Sequence, residues 1–215
     1  MTHTQKKEID QPQKCGAQSV NENQQLVYNS LADKFFDLVD QGAHEQIWEL
    51  LNNHYDKKGD ESYLQFVNLQ EAETGFTALH KAAMRDDDKM IRLLLHYEGV
   101  ETEIEDLFGK TALEQAAIRG AGASMNAFCG AVSFYDPNLR QKMKNGEYRE
   151  GKYKIEANRL DKKTGLRPIH WACQGKDLRF LYTVGYLIEH CGVDYMTETA
   201  KGLTCVDFCG GFQPI

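Results

Sequence analysis

The stretch Thr77-Ala78-Leu79-His80-Lys81-Ala82-Ala83 decides how the rest of the chain is read. A near copy, Thr111-Ala112-Leu113-Glu114-Gln115-Ala116-Ala117, lies 34 residues further on. Two looser copies follow, Arg167-Pro168-Ile169-His170-Trp171-Ala172-Cys173 and Thr204-Cys205-Val206-Asp207-Phe208-Cys209. Each starts two residues after a glycine: Gly75, Gly109, Gly165 and Gly202. One helix signature recurring with a period in the thirties signals stacked units, each of which buries its apolar face only against a neighbour.

Within the clearest unit, Gly75 suits a turn that needs positive φ, and Thr77 stands where it caps a helix. Ala82 and Ala83 keep that helix thin. Asp86-Asp87-Asp88 breaks it and places negative charge at the start of a second helix, where the helix dipole favours it. Met90, Ile91, Leu93, Leu94 and Leu95 form the expected buried stripe, and Gly99 closes the helix. The second helix of the later unit is expected to be longer, over Leu178 to His190.

The run Gly75, Thr77, Leu79, His80, Ala82, Ala83, Leu93, Leu94, Gly99 resembles the ankyrin repeat family. The match recurs at Gly109, Thr111, Leu113, Ala116, Ala117, Gly120, and again at Gly165, Pro168, Ile169, His170, Ala172. The resemblance covers about residues 30–210 and implies an all-α solenoid of stacked helix-turn-helix units with finger loops. Glu114 and Asp207 depart from the histidine of the motif. Between Gly109 and Gly165 lie 56 residues where one unit needs about 33, so a long insertion is expected at about 121–160.

The expected organisation is therefore as follows. Residues 1–25 are a polar, mobile arm, too poor in apolar side chains to offset ordering entropy. Residues 26–74 are a degenerate N-terminal capping repeat with a long connector. In it Tyr63, Phe66, Val67 and Leu69 pack back on the helices, and Trp48 sits in the core stripe. Repeats follow at 75–108, 109–164 (with the basic insertion) and 165–201. Residues 202–215 begin a further repeat or form a C-terminal cap. The tail Gly210-Gly211-Phe212-Gln213-Pro214 cannot complete a helix pair, which favours a chain that continues in the natural protein over one in which Phe212 makes a cap.

Composition excludes several classes. Lys+Arg 25 against Asp+Glu 32 gives a net charge of −7, which argues against a general nucleic-acid binder. Locally, residues 140–163 hold nine Lys/Arg and four Asp/Glu, a +5 stretch that is a solvated loop or a contact for an acidic surface. The six cysteines (15, 129, 173, 191, 205 and 209) are sparse and follow no secretory apolar stretch, so reduced thiols and a cytoplasmic location are expected. The longest charge-free run, Gly120 to Tyr135, is too short and too rich in small residues to span a membrane.

No catalytic set emerges. His170 with Cys173 and Cys205 with Cys209 stand at helical spacing, a pattern zinc can use, but they occupy packing positions of the repeat and are read as structural; no metal or cofactor is expected. Gly120-Ala121-Gly122 lacks the Gly-Lys-Ser/Thr of a phosphate loop. The resemblance implies partner binding on a concave face built from finger tips (Phe76, Phe108, Lys110, Leu166) and exposed first-helix positions (Lys81, Met84, Arg85, Gln115, Ile118, Arg119, Trp171, Gln174). Trp171, flanked by Arg85 and Arg119, leads that set because Trp and Arg are enriched at binding hot spots; the competing reading has it packing on the insertion. The function implied is a non-catalytic, monomeric protein-binding module. The alternative is the targeting arm of a larger enzyme, or of an effector of the kind bacteria deliver into host cytosol, with its chemistry in the insertion or beyond Ile215.

Overall fold

A computed structural model describes residues 22–55, 67–97, 99–130 and 155–209. The described residues form helices and turns with no strand. The helices are α1 (Glu22–Gln41), α2 (His44–Tyr55), α3 (Ala78–Met84), α4 (Asp88–His96), α5 (Ala112–Arg119), α6 (Gly122–Phe128), α7 (Pro168–Cys173), α8 (Leu178–Glu189) and α9 (Cys205–Phe208). They stack in two columns. First helices α1, α3, α5, α7 and α9 pack in succession, as do second helices α2, α4, α6 and α8. Helix α7 packs directly on α5, so the residues between them leave the stack unbroken.

Each copy of the opening motif begins with the same backbone turn. Gly75, Gly109, Gly165 and Gly202 all have φ between 70° and 77°. At Gly75 a side chain is excluded twice over: the backbone is left-handed, and a Cβ would lie 2.7 Å from the Leu107 nitrogen of the next finger. Thr77 accepts a hydrogen bond from the His80 amide, and His80 Nδ1 in turn accepts one from the Thr77 amide, a reciprocal box that satisfies two donors at the helix start. Asp87 caps α4 through the Met90 amide. Helix α6 follows Ala121, whose methyl offers no acceptor to cap it. Its Ser124 amide instead donates to the Asp86 carboxylate of the preceding unit at 2.7 Å.

The core runs through both columns without a gap, from Phe35, Ile47 and Leu51 through Leu79, Ile91, Leu94 and Met125 to Ile169 and Leu187. In α4, Met90, Ile91 and Leu94 are buried, while Leu93 and Leu95 are half-buried. Helix α8 is longer than α4, 12 residues against nine.

Three expectations need correction. Trp48 is 51% exposed rather than core, because Ile47 and Leu51 define the packing face of α2 and the next position turns about 100° away from it. Helix α1 starts at Glu22, inside the stretch read as a mobile arm. The cysteines do not all stay as thiols: Cys129 bonds to Cys191 and Cys173 to Cys205. Their separations of 62 and 32 residues look sparse along the chain, but stacking brings adjacent units into register. Cys129 and Cys191 each precede the glycine that closes a second helix, Gly130 and Gly192, and so occupy equivalent places in neighbouring units. Val67 is buried and Leu69 half-buried, whereas Tyr63, Phe66, most of the insertion and Phe212 lie outside the described residues.

Candidate functional site

The third position of each first helix shows whether the motif carries chemistry. His80 Nδ1 accepts from the Thr77 amide at 3.1 Å, which leaves the proton on Nε2; that nitrogen donates to the Lys110 carbonyl at 3.0 Å. His170 repeats this, accepting from the Arg167 amide and donating to the Thr197 carbonyl at 2.9 Å. Burial lowers the basicity of both rings, so each stays a neutral bridge from its own helix start to the next finger. Glu114 and Asp207 accept from the Thr111 and Thr204 amides at 2.9 and 2.7 Å. Three residue types thus perform one capping task, and no reaction chemistry is common to all of them.

Carboxylates cross-tie the fingers. Asp106 accepts from the amides of Phe108 and Lys110 and from the Gln115 side chain at 2.6 Å. Asp161 accepts from the Lys163 amide and the Thr164 hydroxyl, and pairs with the Lys110 ammonium. That ammonium also lies 4.6 Å from the centre of the Trp171 ring. Although burial pushes the Asp161 carboxyl up, these donors bring it down to about 2. Glu114 is fully buried and pairs through one oxygen with Arg159 at 2.8 Å; its other oxygen finds no partner among the described residues. Burial therefore raises its pKa, and the Thr111 amide and Arg159 only partly offset that.

The proposed binding residues separate into three groups. Arg85, Phe108, Arg119 and Gln174 are exposed. Phe76, Met84, Ile118, Leu166 and Trp171 are half-buried, with Phe76 stacked on His80 and the Trp171 ring against the Lys110 ammonium. Lys81, Lys110 and Gln115 are engaged within the fold. Lys81 pairs with Asp40 at 2.9 Å and Glu71 at 3.1 Å, over the Phe36 ring. Lys110 and Gln115 are buried with their carboxylate partners, which a charge count along the sequence does not reveal. Sequence reasoning passed over Leu107, 62% exposed beside Phe108 at 64%. Two large apolar residues directly before a finger glycine were the available signal. It also passed over Leu178, Leu181 and Tyr182, exposed along one side of α8. Among the described residues only Cys173, Cys205 and Cys209 form a group with metal-ligand geometry, and no helix is long and apolar enough to cross a membrane.

The geometry agrees with comparison to known families. The family profile for ankyrin repeats in three copies matches residues 35–141, about half of the chain. Comparison with the curated proteins yields no match. The paired helices, capping boxes and fingers recur beyond the matched span, at α7, α8 and α9. Such repeats generally mediate protein–protein interaction and are typically non-catalytic, and the chain belongs to the ankyrin repeat family.

Proposed function

We propose that the chain is a non-catalytic module that captures a partner protein with its finger tips and the exposed positions of its first helices. The observation that carries this reading is the finger tip itself. Leu107 and Phe108 stand out at 62 and 64% exposure on a turn held by three hydrogen bonds to Asp106, so little entropy remains to be lost when they are covered. Arg85, Arg119 and Gln174 are the exposed first-helix positions beside it, and half-buried Trp171 extends the apolar area. Lys81, Lys110 and Gln115 then serve as supports for this surface. The reading places the module as a monomer; the two disulfides remove the argument from reduced thiols for a cytoplasmic location. The targeting arm of a larger enzyme or effector would use the same face, and no observation favours it over the stand-alone binder.

The test is quantitative affinity capture with Phe108→Asp combined with Arg119→Glu, beside Leu181→Asp on the outer side of α8. The first variant should lose at least tenfold of the captured partner, and the second should retain it, with unchanged helicity in both. Loss with Leu181→Asp and retention with the finger variant would move the binding face to the second-helix column.

A further inference from the structure

The C-terminal end of the first-helix column gathers three sulfurs. Cys173 lies on α7, Cys205 opens α9, and Cys209 follows one turn later at i, i+4. Their three sulfur atoms lie within 4.8 Å of one another. In the form described, Cys173 and Cys205 are bonded and Cys209 is an exposed free thiol. The arrangement is asymmetric in a telling way. Cys209 takes the place that Ala82 holds in the first unit, and Cys173 the place of Ala83, so thiols replace the smallest residues where two helices pack closest.

We propose that Cys173, Cys205 and Cys209 form a zinc site that a disulfide closes and reduction opens. A dithiol of the thioredoxin class supplies two electrons and two protons, leaves as its own disulfide, and converts the Cys173–Cys205 bond into two thiols. One Zn²⁺ then displaces three thiol protons to give a tris-thiolate complex of charge −1. Tetrahedral zinc with sulfur ligands at ~2.3 Å holds its sulfurs ~3.8 Å apart, a spacing within the 4.8 Å that already encloses all three. The fourth position falls to water on the exposed Cys209 side, since the nearby candidates are committed. Both ring nitrogens of His170 are hydrogen-bonded, and the Asp207 carboxylate is held by the Thr204 amide and hydroxyl. Helix α9 has only four residues, and in this proposal the metal holds it on α7 when the disulfide does not.

The test titrates anaerobically reduced protein with Zn²⁺ against a chromophoric chelator and repeats the titration with Co²⁺. One equivalent should bind with a dissociation constant on the order of 10 nM or tighter, and cobalt should show thiolate charge-transfer absorption. Cys209→Ser leaves the disulfide and the fold intact; after reduction it should bind at least tenfold more weakly. Cys129→Ser/Cys191→Ser and Cys15→Ser should bind as the parent does, and the oxidised protein should bind none. In the Cys129→Ser/Cys191→Ser variant, where reduction opens only the Cys173–Cys205 bond, zinc should restore any helicity that reduction removes. Absence of stoichiometric binding to the reduced parent, equal affinity in Cys209→Ser, or equal binding by the oxidised protein each overturns the proposal.

Discussion

The junction between α3 and α5 and the junction between α5 and α7 join equivalent helices by different means. At the first, a short connector delivers the next finger, and one neutral bond from His80 to the Lys110 carbonyl ties helix to finger. At the second, 56 residues separate the motif glycines. There Glu114 meets Arg159, Lys110 meets Asp161 beneath Trp171, and the Cys129–Cys191 disulfide clips the second helices together. Closing a longer loop costs more chain entropy. Among the described residues, the junction that must recapture a distant segment carries three ion pairs (Arg159 with Glu114 and Glu105, and Lys110 with Asp161) and a covalent bond; the junction fed by contiguous chain shows no such pair or bond. An irregular repeat array thus concentrates strong local contacts where its period is broken, because each unit is stabilised only by its neighbours.

The largest break in that comparison is the disulfide. Closing 62 residues of chain contributes up to about 4 kcal/mol by loop entropy. Cys129→Ser/Cys191→Ser should therefore raise hydrogen exchange in α7 and α8 strongly, while exchange in α3 and α4 changes little. Equal acceleration in both halves would show that the junctions are not independent. Next comes Asp161→Ala, which leaves the Lys110 ammonium buried without a counter-charge and should cost about 3 kcal/mol in urea unfolding. Removing both charges, with Lys110→Met and Asp161→Leu, should recover most of that loss. Because the Asp161 carboxyl is held at about 2, its contribution is complete above the ordinary aspartate range and fades as pH falls from ~4 toward 2. Arg159→Ala should follow at about 2 kcal/mol, since Arg159 is partly exposed and water can enter the space it leaves.

How much of this was legible beforehand follows from the range of the forces involved. The capping threonines, the positive-φ glycines and the small-residue helices are local, and a seven-residue window contains their full physics. Met90, Ile91 and Leu94 could be read because helical period places them together. Trp48 was misread because one residue of offset turns a side chain out of the packing face. The burial of Lys110 and Gln115 was not legible because it depends on Asp161 and Asp106: the first partner lies 51 residues away, and the second is brought close only by the finger turn. The Cys129–Cys191 pair was readable in principle. Aligning each cysteine to the glycine after it, rather than counting cysteines along the chain, puts both at one place in the repeat.

The smallest expected effect is also the one that separates the two junctions by sign. His80 is held neutral by burial, so its folded pKa lies below the ordinary value. Between those two values the unfolded chain binds more protons, and stability falls as pH drops below ~6.5. Glu114 shifts the other way: burial raises its folded pKa, so above the ordinary glutamate value the folded chain binds more protons. Its ionisation therefore opposes folding as pH rises, and protonating it on acidification stabilises. The two carboxylates of the second junction differ for a visible reason. Asp161 receives the Lys110 ammonium, the Thr164 hydroxyl and the Lys163 amide, while one Glu114 oxygen meets no donor among the described residues. His80→Gln should flatten the loss of stability between pH 7 and pH 5, and Glu114→Gln should steepen it, both read from urea midpoints across that range. Flattening by Glu114→Gln would mean that Arg159 outweighs burial at Glu114, and the second junction would then depend on pH in the same sense as the first.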